Sequence, residues 1–178
     1  MEGTHQNDAL IVFGEDDNIN LLLAESKIEG QVIKYTTPDY YLENHTVHLK
    51  SNNNNYHFSI FGKHNMQNME GAKKVCNALG ISDADFYTAM QTFHGAAKRL
   101  EILKQTNDHI IFRDFAHAPS KVKATVKAVR ERYPTRKIIA IFDTPLQEFP
   151  TLGGVFLSYF IFFYYYLPYN FFIICEVK

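Results

Sequence analysis

The chain has 178 residues, of which 46% are hydrophobic and 21% charged, a globular balance that excludes wholesale disorder and leaves room for one ordinary domain or parts of two. A net charge of -1 supplies no field that would draw it to nucleic acid or an acidic lipid surface. Two cysteines, Cys76 and Cys175, are too few for a disulfide framework and point to a reducing, cytoplasmic setting, and "MEGTHQND" lacks the basic and apolar regions of a signal peptide.

"ALIVFG" (Ala9–Gly14) is a short apolar run ended by Gly and reads as a buried strand. "DDNINLLLAESK" follows with its acidic residues first and Lys27 last, the order a helix dipole favours. "QVIKYTT" is a second strand, stopped by Pro38. "HTVHLKS" and "NYHFSIFG" flank the amide run Asn52–Asn55 and predict a hairpin. "FGKHNMQNMEGAKKV" (Phe61–Val75) then leads into a helix through Ala72, Val75, Cys76 and Leu79, closed by Gly80 at C′. "SDADFYTAMQTF" is a further helix, with Ser82 as N-cap and Asp85 as reciprocal capping partner. "HGAAKR" marks a bend, and "LEILKQ" with "HIIFRDF" predicts a hairpin around Asn107–Asp108. "PSKVKATVKAVRERY" has Pro119 near its start and Val122, Val126, Val129 and Tyr133 at helical spacing, and "RKIIAIF" is the strand after it. Strand, helix and strand from Ile110 to Phe142 predict a βαβ unit and hence a parallel sheet.

Three stretches carry candidate chemistry. In "GKHNMQN", Gly62 lets backbone approach a ligand, Asn65 and Asn68 lie three apart on one helical face, and His64 is placed to stack on a ring. An amide offers both a donor and an acceptor, which suits a purine edge. The competing reading makes Asn65 an N-cap with solvated neighbours. In "FRDFAHAPSK" (Phe112–Lys121), Asp114 and His117 follow the carboxyl end of a strand, where open α/β sheets place ligands, and His117, Ser120 and Lys121 precede or open a helix suited to an anion. The competing reading is a structural turn in which Asp114 satisfies backbone groups. Arg99, after "FHGAAK", has the planar fork that grips phosphate; a surface cation is the plainer alternative. His45, His48 and His57 share a hairpin without metal-ligand spacing, and no G-x-x-x-x-G-K-[ST] occurs.

In this order and spacing, "FGKHNMQNMEGAKKVCNALGI", "FHGAAKRLE" and "RDFAHAPSKVKATVKAVRERYP" resemble the Mur ligase family, over roughly Ala9 to Phe142. The resemblance implies an α/β fold in which residues 1–95 are the rear part of a central ATPase domain and 96–142 the start of a Rossmann-like C-terminal ligase domain. It implies ATP-dependent amide-bond formation, with Mg2+, between UDP-N-acetylmuramate and either L-alanine or the peptide L-Ala-γ-D-Glu-meso-diaminopimelate; Ala118 in "DFAHAPSK" fits the peptide-joining, recycling branch better. It implies that His64, Asn65 and Asn68 face the adenine, that Arg99 reaches the ATP phosphates or ribose, and that Asp114 holds the ribose. His117, with Ser120 and Lys121, would line the cleft for the incoming amine or muramoyl group, His117 and Lys121 as catalytic groups. The family's P-loop, magnesium ligands and UDP-binding domain would all lie before Met1, so the chain by itself is expected not to complete the reaction.

Residues 143–178 stand outside this resemblance. "VFLSYFIFFYYYLPYNFFIIC" (Val155–Cys175) is uncharged, aromatic and about 21 residues long, the length of a membrane-spanning helix. Mid-segment tyrosines and Pro168 speak against a span. Three readings stay open: an altered reading frame or fused end, a membrane helix, and a buried hydrophobic element. A function of a different class, a non-catalytic nucleotide-binding module tethered by this tail, rests on the second of these.

Overall fold

The computed structural model describes residues 8–116, 118–142 and 171–176. The chain divides into two compact units, Met1–Phe93 and His94–Lys178.

In the first unit, β1 (Ala9–Phe13) runs into α1 (Asp17–Glu25) and then β2 (Gln31–Tyr35), and the two strands pair in parallel with Ala9 opposite Gln31 and Phe13 opposite Tyr35. Asp16 starts α1 by accepting from the N–H groups of Asn18 and Ile19, which satisfies two of the donors that a helix start leaves open. A three-stranded meander follows: β3 (Tyr40–Glu43), β4 (Thr46–Ser51) and β5 (Asn54–Phe58), in antiparallel order β3-β4-β5. Two-residue turns join them, Asn44–His45 and Asn52–Asn53, and all four residues have positive φ, the backbone that matches strand twist in tight hairpins. Alternation along β4 and β5 puts Val47, Leu49, Tyr56 and Phe58 inward, buried with Phe61, with Met66 and Met69 of the next helix and with Phe86 and Tyr87 of the one after. The rings of Tyr56 and Tyr87 lie 5.1 Å apart.

Those helices are α2 (Lys63–Ala78) and α3 (Asp83–Met90). As the sequence predicts, Gly80 (φ +84) closes α2: its N–H bonds to the Asn77 carbonyl and that of Ile81 to the Cys76 carbonyl, the paired bonds of a Schellman turn. Ser82 caps α3 by accepting from the Asp85 N–H; Asp85 returns the contact through its carboxylate, which accepts from the Ser82 hydroxyl at 2.6 Å. Gly71 is a close-approach position, since a Cβ there would stand 2.9 Å from the Tyr35 ring of β2.

The second unit holds β6 (Glu101–Gln105), β7 (His109–Asp114), α4 (Pro119–Arg132), β8 (Lys137–Phe142) and β9 (Phe171–Glu176). The β6–β7 hairpin is the expected one, with an irregularity between Ile102 and Lys104. The sheet corrects the expectation of a parallel arrangement. Its order is β6-β7-β9-β8, and every pairing in it is antiparallel. β7 and β8 point the same way, as a βαβ unit requires, but β9 lies between them. Adjacent parallel strands occur instead in β1–α1–β2.

β9 is the end of the uncharged aromatic run. Ile173 and Cys175 are fully buried beside Ile110, Phe112, Ala140, Val122, Val129 and Tyr133, so these residues form a hydrophobic core strand. Residues 143–170, which carry the rest of that run, lie outside the described residues. Among the described residues no helix is long and apolar enough to cross a membrane.

Candidate functional site

α2 begins earlier than Asn65. Gly62 is its N-cap residue, at φ +88, and has no side chain with which to cap the helix. Asn65 therefore sits inside the first turn, where its amide donates to the Phe61 carbonyl at 2.8 Å, and it does not act as the N-cap. His64 is half-buried and Asn68 exposed, one helical turn apart on one face.

The first two turns of α2 are tied to the carboxyl ends of both parallel strands. Glu15, just past β1, accepts from the N–H and hydroxyl of Thr37 at 3.0 and 3.1 Å and lies 3.7 Å from the Lys63 ammonium. Thr37, just past β2, accepts from the Gln67 amide at 3.0 Å. The backbone N–H of Thr37, chiefly, holds the Glu15 carboxyl below its usual pKa. Gly14 lets the chain turn close to β2, its N–H reaching the Tyr35 carbonyl at 2.7 Å.

Further along, α2 is anchored by a buried polar network that the sequence reading did not single out. The Lys73 ammonium, 7% exposed, bonds Glu70 at 2.9 Å and Asp83 at 3.3 Å, and donates to the Tyr87 hydroxyl at 2.8 Å. Tyr87 in turn donates to Glu70 at 3.3 Å. Burial by itself would lower the lysine pKa, but its bonds to Tyr87 and Glu70 outweigh this and raise it, so the lysine stays charged. The signal available in the sequence was the spacing Glu70–Lys73 on an otherwise inward face.

In the second unit, Arg99 is exposed on a loop of unusual backbone. Its neighbours Lys98 and Leu100 both have positive φ, +57 and +49, a conformation that costs a non-glycine residue about 1–2 kcal/mol. The Lys98 N–H donates to Glu101 at 2.9 Å, and the same carboxylate oxygen takes two bonds from Arg113, at 2.8 and 3.2 Å. Asp114 follows Ile110 and Phe112 on the inward face of β7 and is 5% exposed. One of its oxygens accepts from the Leu100 N–H at 2.8 Å, and the other faces the Thr125 hydroxyl of α4 at 3.5 Å. Asp114 thus satisfies a backbone group, the structural alternative raised by the sequence.

α4 starts at Pro119 after Ala118, again with no side-chain cap. Ser120 and Lys121 lie exposed in its first turn. His117 lies outside the described residues. Among the described residues no group of three or more His, Cys, Asp or Glu side chains is arranged to hold a metal ion, so no metal role is assigned to any of them.

Residues 98–151 match the family model described as Mur ligase, glutamate ligase domain, which carries the likeness past Phe142. UDP-N-acetylmuramate–L-alanine ligase from Francisella philomiragia is 35% identical over 118 residues, which cover 65% of this chain and 26% of that one. The chain belongs to the Mur ligase family. The enzyme of the same description from a Sulfurihydrogenibium species is 34% identical over 138 residues, covering 72% of this chain and 30% of its own. The chain therefore spans under a third of the length of these relatives. Among solved structures, MurF from Acinetobacter baumannii superposes with a TM-score of 0.58 at 19% identity, over 76% of this chain and 31% of that one. UDP-N-acetylmuramate-alanine ligase MurC from Thermotoga maritima does so with a TM-score of 0.56 at 19% identity, over 75% and 32%. Both likenesses speak for the Mur ligase α/β fold.

Proposed function

We propose that the chain is part of an ATP-dependent ligase of peptidoglycan synthesis or recycling, acting in the cytoplasm on UDP-N-acetylmuramate and an amino acid or peptide. The observation that carries this reading is the start of α2. It lies against the carboxyl ends of two parallel strands, the ligand-bearing end of an α/β sheet, and starts on a glycine that offers no side-chain cap. His64 and Asn68, on one face there, are the groups for a purine, with Asn65 held beside them. In the second unit Arg99 is an anion contact suited to phosphate. Lys121 and Ser120, with His117, are the groups for the acyl or amine partner.

The chemistry of such a ligase has two steps. ATP phosphorylates the muramoyl carboxylate, releasing ADP, and the amine then attacks the acyl phosphate and expels inorganic phosphate. Positioning and charge neutralisation supply most of the catalysis, and Mg2+ travels with the nucleotide. Names of the relatives favour L-alanine as the amine; Ala118 in "DFAHAPSK" favours the peptide.

Calorimetric titration of the 178-residue chain with Mg-ATP and with Mg-GTP tests the reading. Expected is binding that prefers adenine, with Asn68→Ala weakening ATP about tenfold through one lost hydrogen bond to the base. Equal affinity for the two nucleotides, or an Asn68→Ala variant that binds like the parent, would sink the assignment of α2.

A further inference from the structure

The loop that carries Arg99 holds a conformation that its sequence does not favour. Lys98 and Leu100 are both in the left-handed region, and neither is Gly, Asn or Asp. Such a backbone persists only where its surroundings over-determine it. Four hydrogen bonds do so here. Arg99 donates its N–H to the Ala96 carbonyl at 3.1 Å, and Phe115 donates to the Lys98 carbonyl at 2.9 Å. Lys98 donates to Glu101 at 2.9 Å, on the exposed side. The buried bond is the one from Leu100 to Asp114 at 2.8 Å.

Asp114 occupies an inward register position of β7 that an apolar side chain would fill as Ile110 and Phe112 do. A carboxyl group there calls for a reason, because burying a polar side chain is unfavourable unless its bonds are made. Its two oxygens reach separate elements, the Leu100 N–H of the loop and the Thr125 hydroxyl of α4. Thr125 is itself buried. One side chain therefore joins strand, helix and loop directly beneath the residue that projects Arg99.

We propose that Asp114, backed by Thr125, is a positioning residue: it holds the left-handed turn Lys98–Leu100 and so fixes where the Arg99 guanidinium stands. The functional meaning rests on the reading of Arg99 as a phosphate contact; the control of the loop does not. Removing the carboxyl frees the Leu100 N–H and lets Lys98 and Leu100 relax to ordinary backbone, which moves Arg99 without touching its side chain.

The test is NMR of the full chain, reading amide exchange at Leu100 and the backbone three-bond couplings of Lys98 and Leu100, with an ATP titration alongside. Asp114→Ala should speed Leu100 exchange by about tenfold or more, the scale of a lost bond to a charged group, and shift both couplings off left-handed values. It should also weaken ATP as far as Arg99→Ala does, with no further loss in the double variant. Asp114→Asn should keep the turn, since its amide oxygen accepts from Leu100 while its NH2 group meets Thr125. Thr125→Val should speed Leu100 exchange by a smaller factor. An Asp114→Ala chain with unchanged exchange and couplings overturns the proposal, as does an Asp114→Asn chain disturbed as much as Asp114→Ala. Should Asp114→Ala fail to fold, unchanged Leu100 exchange in Thr125→Val overturns it. A parent chain whose Arg99 fails to respond to ATP overturns the phosphate reading alone, because the loop readouts still decide the positioning role.

Discussion

The two units hold their exposed polar groups by opposite means. In the first, His64 and Asn68 ride on a regular helix whose anchor, the Lys73 network, is buried two turns away and whose end is closed by Gly80. In the second, Arg99 rides on an irregular loop pinned residue by residue. A helix transmits position along its length, so its anchor can be remote and its failure is global. A loop does not propagate order, so its restraints must sit beside the residue they place and their failure is local. Each arrangement predicts which observable moves first when it is cut.

The largest effect should follow Lys73→Met. It leaves the Glu70 carboxylate buried with its main partner gone, and breaking a buried pair in this way costs about 3 kcal/mol. Urea unfolding should show a lower midpoint, and hydrogen exchange should rise across α2, α3 and β5 together while β6 to β8 keep their protection. Loss confined to the residues next to Lys73 would break the contrast between global and local failure. Gly71→Ala comes next. Its Cβ would stand 2.9 Å from the end of the Tyr35 ring, so the ring must shift, an overpacking cost of about 1 kcal/mol or more. The structural sign is a displaced Tyr35 ring resonance; an unchanged ring resonance and melting curve would show that ring and helix do not meet at Gly71.

Much of this arrangement was legible in the sequence, and the misses share a cause. Signals written in neighbouring residues were readable: the hairpin turn within Asn52–Asn55, the Ser82 cap with Asp85, the Gly80 stop, Pro119 opening α4. β3 was not, because "YYLE" is short and its turn, Asn44–His45, carries no Gly. The start of α2 stayed open because Asn65 looks like a cap, whereas Gly62 with its positive φ lets the helix begin three residues sooner than that alternative. Strand order was out of reach, because the pairing of β9 between β7 and β8 joins residues 29 or more apart and depends on hydrophobic fill, with no local motif. The same holds for the site. The candidates His64, Asn68, Arg99, Ser120 and Lys121 were readable by residue type, while the bonds that hold the framework, from Lys73 to Tyr87 and from Asp114 to Leu100 and Thr125, appear only when distant elements are packed.

Alkaline pH sharpens the comparison further. Burial pushes the Cys175 thiol up to about 11 from 9.0, so it stays neutral in the folded chain while the unfolded chain ionises. A folded pKa above the unfolded one means stability that is present below pH 9 and lost as pH rises toward 11. The slope approaches about 1.4 kcal/mol per pH unit inside that window. In the first unit the raised groups, Tyr87 and Lys73, start from 10.0 and 10.5, so its loss begins later. Hydrogen exchange between pH 8.5 and 10 should therefore open the β7–β9–β8 core first, and Cys175→Ala should remove that early onset. Simultaneous opening of both units, or an onset that Cys175→Ala leaves unchanged, would count against the buried thiol as its source.

The smallest expected effect separates two kinds of helix start. α1 and α3 close theirs with a side chain, Asp16 and Ser82, whereas α2 and α4 start on Gly62 and Ala118 without one. If the open starts are the ligand-facing ones, a closed start should matter for stability and nothing else. Ser82→Ala removes the bond to the Asp85 N–H and should cost about 1 kcal/mol, visible as a small drop in the unfolding midpoint, with ATP affinity unchanged. Gly62→Ala forces a Cβ onto a backbone at φ +88, and should lower ATP affinity along with stability. A Ser82→Ala chain that loses ATP affinity as Gly62→Ala does would mean that α2 and α3 respond as one body, and that the open start of α2 has no separate part in holding the nucleotide.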